Sequence, residues 1–186
     1  MLCGERAAGR KVRLMFQDEG RFGRISDPRR CWGPPRFRPD VRAALVREYV
    51  YAYSALSPWD ARLDSLVLPD ASTACMNVFL EQIAARYPQE FIVMVLDGAG
   101  WHRSHALQVP DNMALLALPP YAPELNPVEL VWGELREKAF HNRIFDSLDA
   151  VEDRLCEALR DLENDQRRIR SLAAWAWLTE LNLNAN

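Results

Sequence analysis

The six residues FIVMVL, at 91–96, constrain this chain more than any other stretch. The run is continuously apolar and of strand length, which suggests a central strand buried on both faces. Sheets with such strands carry helices on both sides. The run ends at Asp97. MALLAL, at 113–118, repeats the pattern and runs into Pro119-Pro120, which cannot continue a ladder. VRLMFQD (12–18) alternates instead, with Val12, Leu14 and Phe16 on one face, and ends at Asp18. EYVYAYSAL (48–56) and ARLDSLVLP (61–69) have strand character, with SPWDA as the turn between them.

The period then changes. Met76, Phe79, Leu80, Ile83, Ala84 and Tyr87 recur at helical spacing over 73–87, with Ser72 or Thr73 as the cap. A helix is expected from about Pro127. Another follows Ser147, with Leu148, Val151, Leu155, Leu159 and Leu162 on one face. The apolar tail SLAAWAWL packs back on the body. Residues 19–44, rich in Gly, Pro and Arg, read as a long loop or open hairpin. This order predicts an α/β fold with a mixed sheet, antiparallel strands first and crossover strands after.

At 186 residues the chain fits one domain with a real core. No apolar run approaches the roughly 20 residues needed to span a bilayer, and the first residues, MLCGERAAGRK, lack the apolar region of a secretory signal. The default expectation is cytoplasmic, with no membrane partner. Cys3, Cys31, Cys75 and Cys156 form no C-x-x-C pair, and the three histidines add no zinc pattern. They read as free thiols, two or three of them in the core. The net charge of −3 argues weakly against a free-standing nucleic-acid binder. Yet residues 1–47 hold 12 Lys/Arg against 5 Asp/Glu. That quarter could track phosphates or form a solvated arginine-rich loop, and charge alone leaves the two even.

Asp18 and Asp97 each follow an apolar strand, where open α/β sheets bind ligands. Glu129 opens the next helix. Three carboxylates from separated segments could converge on one spot and supply the hard oxygen donors that suit Mg²⁺ or Mn²⁺. Each also has a local role available. Asp18 could end a strand, and Asp97 could start a turn at Gly98. Glu129 falls at the capping-box position, with Asn126 as N-cap and Pro127 at N1. Glu124 lies in the turn, and Glu134 and Glu137 lie away from the helix start, so Glu129 is the glutamate the helix dipole favours.

QDEGRFG (17–23), LDGAGWH (96–102) and PPYAPELNPVELVW (119–132) together resemble the catalytic domain of DDE transposases, closest to the bacterial insertion-sequence group related to the Tc/mariner family. Gly98, Ala122 and Val128 stand where the family usually has Asn, Ser and Ile, and Asp97 and Glu129 are slightly closer in sequence than in the group. The resemblance implies an RNase H-like, retroviral-integrase-like fold, a mixed five-stranded sheet flanked by helices. It divides the chain into an extension (1–10), the endonuclease domain (11–178) and a tail (179–186). It implies Asp18, Asp97 and Glu129 as catalytic residues holding two Mg²⁺ or Mn²⁺ ions, with Asp18 bridging both, for cleavage of element ends and strand transfer.

Arg21, Arg24, Arg29, Arg30, Arg36 and Arg38 would then line the DNA path. Trp32 either stacks on a frayed base or packs inside, and His102 lies near the scissile phosphate or caps a helix. His105 and His141 read as surface. The implied partners are DNA at the element ends and target, a second copy in a homodimer, and a helix-turn-helix region on a separate polypeptide or fused upstream frame, since only about ten residues precede the first strand. The other readings are a non-catalytic truncated transposase acting by dimerisation or inhibition, and a host RNase H-like nuclease.

Overall fold

The structure, a computed structural model, describes residues 9–25, 28–30, 32–37, 44–98, 106–120, 122–173, 175 and 178. Five strands form one mixed sheet: β1 (Lys11–Ile25), β2 (Leu45–Ser57), β3 (Arg62–Leu68), β4 (Glu90–Leu96) and β5 (Met113–Ala117), in spatial order β3-β2-β1-β4-β5. β1, β2 and β3 pair antiparallel, whereas β4 runs parallel to both β1 and β5. The expected mixed sheet is therefore present, with the apolar run 91–96 between β1 and β5. Phe91, Ile92, Met94, Val95 and Leu96 are all buried, as a strand covered on both faces requires.

Alternation along β1 feeds two cores. Leu14 and Phe16 point into one, packed under α2 (Val128–Leu135), α3 (Leu148–Asn164) and α4 (Gln166–Ala173). Met15 points into the other, under α1 (Thr73–Arg86). Of the two candidates for the α1 cap, Ser72 takes the place, and Ser147 caps α3. The Ser72 side chain accepts from Cys75 N, and the Ser147 side chain accepts from Ala150 N. The tail packs back as expected. Leu178 is buried, and the Trp59 indole donates to its carbonyl at 2.9 Å. The lower end of the sheet is pinned by Arg13, which reaches Glu90 and Asp60 at 2.7 Å each and lies over the Tyr87 ring. Among the described residues no helix is long and apolar enough to cross a membrane.

Three expectations need correction. β5 is not covered on both faces: it is the edge strand, paired only with β4, and Leu116 and Ala117 are exposed. β1 does not end at Asp18. It continues to Ile25, pairing Glu19 with Tyr53 and Arg21 with Tyr51, so of the loop and open-hairpin readings of 19–44 the hairpin holds over 19–25 as a long arm. Its composition hid it, because the facing residues Leu45–Glu48 are solvent-exposed and the arm is held by ladder hydrogen bonds rather than burial. Cys75 and Cys156 are free thiols, but both are half-buried rather than core; Cys3 and Cys31 lie outside the described residues.

Candidate active site

The parallel ladder between β1 and β4 pairs Lys11 with Glu90 and runs to Phe16 with Val95. Asp18 and Asp97 each lie two residues beyond that last pair, at the same level on neighbouring strands. There β4 leaves the sheet through Asp97 and Gly98, while β1 carries on with β2. Asp18 is thus the first carboxylate past the end of the parallel pairing, although it sits within its own strand. Its parity with Phe16 turns it to the α2 side.

α2 is brought to Asp18 by two side chains. Asn126, buried, donates from its amide to the Gln17 carbonyl at 2.9 Å, and its Oδ1 accepts from Val128 N at 3.1 Å. One residue both caps the helix and clamps it to β1 next to Asp18. One turn on, the buried Trp132 donates from Nε1 to Asp18 Oδ2 at 2.8 Å. The indole comes this close because Gly20 faces it. A Cβ there would lie 2.7 Å from the Trp132 ring.

The expected capping box is not made: α2 starts at Val128 with Pro127 at its N-cap position, and the Asn126 side chain accepts from Val128 N rather than from Glu129 N. The backbone N–H of Asn126 bonds the Pro123 carbonyl at 2.9 Å, so the Glu129 carboxylate is not needed there. Glu129 is exposed at the first turn of α2, as is Asp97 at the end of β4. Asp18, Asp97 and Glu129 line one cleft of about 650 Å³, with Arg21, Tyr49, Trp132 and Arg136. The same three line a second hollow of about 510 Å³ under Gly98, Pro119 and Pro120. The remaining glutamates do other work. Glu134 is gripped by Arg168 at 2.5 and 2.6 Å and by Lys138 at 2.6 Å, Glu137 lies 2.8 Å from His141, and Glu124 is exposed in the 3₁₀ turn Pro123–Leu125.

Burial pushes the Asp18 carboxyl up to about 7; the Trp132 hydrogen bond opposes this, and the charges of Glu129 and Glu19 add to it. Asp18 is half-buried in a negative field that its own surroundings do not neutralise. Among the described residues, no three His, Cys, Asp or Glu side chains stand close enough to hold one ion between them. The three carboxylates share a cleft without closing on a single point. The donor set fits divalent cations: three hard carboxylates on one cleft, one of them destabilised as an anion by its neighbours.

The arginines divide. Arg21 lines the cleft with its guanidinium 4.6 Å from the centre of the Tyr49 ring. Arg24 is taken up by Glu48 and the Phe145 carbonyl, at 2.8 and 3.0 Å, and holds the arm to the body. Arg29, Arg30 and Arg36 are exposed on the loop beyond the arm, and Arg29 N donates to the Asn142 side chain at 2.8 Å. Trp32 is fully exposed, which removes the packing alternative for it. Arg38, His102 and His105 lie outside the described residues. His141, expected on the surface, keeps only 7% of its side chain exposed. Three residues were missed as parts of the site. The clamp by Asn126 joins positions 109 apart, and only its capping half is local. Trp132 lies three residues from Glu129, and a buried indole N–H needs an acceptor, which was the usable signal. Arg136 carried none.

An Asn126 that served only as a cap would be replaceable by Asp. The clamp predicts otherwise. Asn126→Ala should cost about 2–3 kcal/mol, because buried groups on β1 and α2 both lose partners. Asn126→Asp should cost at least as much, because a buried carboxylate would face the Gln17 carbonyl. Urea unfolding checks this, and an Asp variant as stable as the parent would reduce Asn126 to a cap.

A family model described as DDE superfamily endonuclease matches residues 13–152. An uncharacterized protein of Sinorhizobium fredii (strain NBRC 101917 / NGR234), y4pE/y4sA, is 37% identical over 130 residues, 69% of this chain and 96% of the relative. The fold is similar to that in the mariner Mos1 paired end complex with Mg (TM-score 0.62, 17% identity, 87% of this chain and 52% of that one). It is also similar to the Mos1 strand transfer complex (0.57, 15%, 88% and 55%). A simian T-cell lymphotropic virus intasome shares it too (0.52, 12%, 82% and 47%). The chain spans about half the length of these solved chains, and at such identities the likeness is one of fold.

Proposed function

This chain belongs to the DDE superfamily of endonucleases, and on that premise we propose that it is the catalytic domain of a DNA transposase of an insertion sequence, with Asp18, Asp97 and Glu129 as its catalytic carboxylates. The observation that carries the reading is the shared cleft. Three carboxylates from β1, the end of β4 and the start of α2 line one opening, and Asp18 is destabilised as an anion there. A core that merely folds has no use for such a charge cluster.

The reaction needs little from the protein beyond placement and charge. In cleavage, water attacks phosphorus, the P–O3′ bond breaks and a 3′-hydroxyl leaves. In strand transfer that 3′-hydroxyl attacks a target phosphodiester, one bond forms as another breaks, and no energy source is consumed. Two Mg²⁺ or Mn²⁺ ions held by Asp18, Asp97 and Glu129 would supply Lewis-acid stabilisation of the attacking and leaving oxygens. The rest is done by side chains. Trp132 fixes one oxygen of Asp18. Asn126 sets the height of α2, and so of Glu129, against β1. Arg21 and Arg136 add positive charge to the same cleft.

The partners that go with this function are DNA at the element ends and target, a second copy of the chain, and a DNA-recognising region on another segment or polypeptide. The site of action would be the bacterial cytoplasm. The exposed Trp32 suits stacking on an unpaired base, and Arg29, Arg30 and Arg36 suit phosphate contacts on the same loop.

A supercoiled plasmid bearing the element ends, incubated with Mg²⁺, Mn²⁺ or EDTA, tests the reading. We expect nicking that requires the metal and disappears in Asp97→Asn. Nicking that persists in EDTA or in the variant overturns the assignment of the site.

A further inference from the structure

We propose that a second, basic hollow beside the acidic cleft, walled by Arg21, Arg136, Arg143 and His141, seats a backbone phosphate of the nucleic-acid strand being processed. The proposal rests on the nuclease reading and adds a ligand-binding site to it.

The hollow has a volume of about 150 Å³. It meets the acidic cleft at Arg21 and Arg136, which line both. Among the described residues no carboxylate lines it. The exposed Glu137 lies 2.8 Å from His141 Nδ1. Among the described residues Arg21 and Arg136 have no carboxylate in ion-pair range, and each lies over an aromatic ring, Tyr49 at 4.6 Å and Phe22 at 5.4 Å. Arg24, on the same arm, is tied by Glu48 and the Phe145 carbonyl. Of the arginines on the hollow, Arg21 and Arg136 have therefore kept their guanidinium donors clear of ion pairs, while Arg24, which does not reach it, has spent its own.

The floor is apolar. The rings of Phe22 and Phe140 meet at 4.8 Å and those of Phe140 and Phe145 at 5.5 Å, both pairs tilted. Positive groups over a floor of low polarisability attract an anion more strongly than the same groups in open water. Guanidinium forks match the paired oxygens of a phosphodiester.

The helix geometry points the same way. After Leu135 the chain winds one wide turn, Arg136–Phe140, closed by His141 N donating to the Arg136 carbonyl at 2.9 Å. Around a regular helix, residues five apart stand about 140° from each other. The wide turn brings His141 back above Arg136, so that both face the hollow. Wide turns of this kind cost hydrogen-bond quality and concentrate at functional sites.

The test is binding of a fluorescein-labelled nicked duplex in EDTA, measured by anisotropy across a salt series. We expect Arg136→Gln to raise Kd about 3- to 10-fold on every sequence tried and to lower the salt slope by about 1. Arg136→Lys should recover the slope but only part of the affinity. Arg143→Gln, at an exposed position, repeats the test without touching the Phe22 contact. Arg160→Gln, on the outer part of α3, should change neither quantity. A wild-type chain that nicks plasmid while Arg136→Gln and Arg143→Gln bind with unchanged affinity and slope overturns the phosphate seat and leaves the nuclease reading standing. A wild-type chain that binds no DNA overturns both. Weakened binding in the arginine variants of a chain that never nicks supports the seat and removes the nuclease reading.

Discussion

Asp18→Asn is expected to cut metal-dependent DNA cleavage by about a thousandfold or more while leaving DNA binding in EDTA within about twofold of the parent. The size of the loss is that of removing a group whose contribution is made in the transition state. The same variant should be the more stable protein at neutral pH without metal. The sign follows from the shift. The folded carboxyl titrates near 7 and the unfolded one near 3.8, so between those values the folded state holds the extra proton and stability falls as pH rises. Above about pH 7 the full penalty applies, and asparagine removes it. With Asp18 half-buried, the gain at pH 8 should be about 1–3 kcal/mol, a rise in Tm of about 3 °C or more, shrinking to nothing near pH 4. Melting curves at the two pH values read it directly. A variant that is less stable than the parent at pH 8, or one that still cleaves, removes Asp18 from its assigned place.

The second large effect lies one residue away from the chemistry. Trp132→Phe keeps most of the buried ring and loses the N–H that bonds Asp18 Oδ2 at 2.8 Å. Partners that orient a metal-binding group are worth roughly 10- to 100-fold in activity, and that is the expected fall in single-turnover cleavage. Stability should drop by only about 1 kcal/mol. Trp132→Ala separates the two roles from the other side. It empties a site that is 1% exposed between β1, α2 and α3, and should cost about 3–5 kcal/mol. If Trp132→Phe cleaved at the parental rate, the indole would be a packing residue and its bond to Asp18 incidental.

How far these roles could be read in the sequence differs from element to element. FIVMVL was legible because a strand covered on both faces has to be apolar at every position, and few other arrangements need that; MALLAL showed a strand but not its place, because β5 is the edge of the sheet and leaves Leu116 48% exposed. α3 was legible because one helix face repeats over 17 residues with a serine cap in front. The arm of β1 past Asp18 was not, because an exposed hairpin leaves no periodic apolar signature, and its glycines answer to packing. Gly20 makes room for Trp132, 112 positions downstream. For the candidate site, the three carboxylates could be found through their motifs and their places near element ends. The uncommitted state of Arg136 and Arg21, and the committed state of Arg24, depend on which acidic side chain the folded chain brings near. No local pattern encodes that.

The clamp at Asn126 has a bearing on how such domains change over time. Glu129 owes its height above the sheet to a side chain that grips the first strand, and to an indole that leans on the same strand a turn later. Both anchors lie at the start of that helix or within it, and the segment from 106 to 120 supplies neither of them. It can therefore shrink, grow or be exchanged between lineages while the third carboxylate stays in register. Relatives should differ in the number of residues between their second and third acids far more than in the distance between the acids themselves. The short spacing in this chain is then a neutral trait, and a poor guide to whether a given copy is alive.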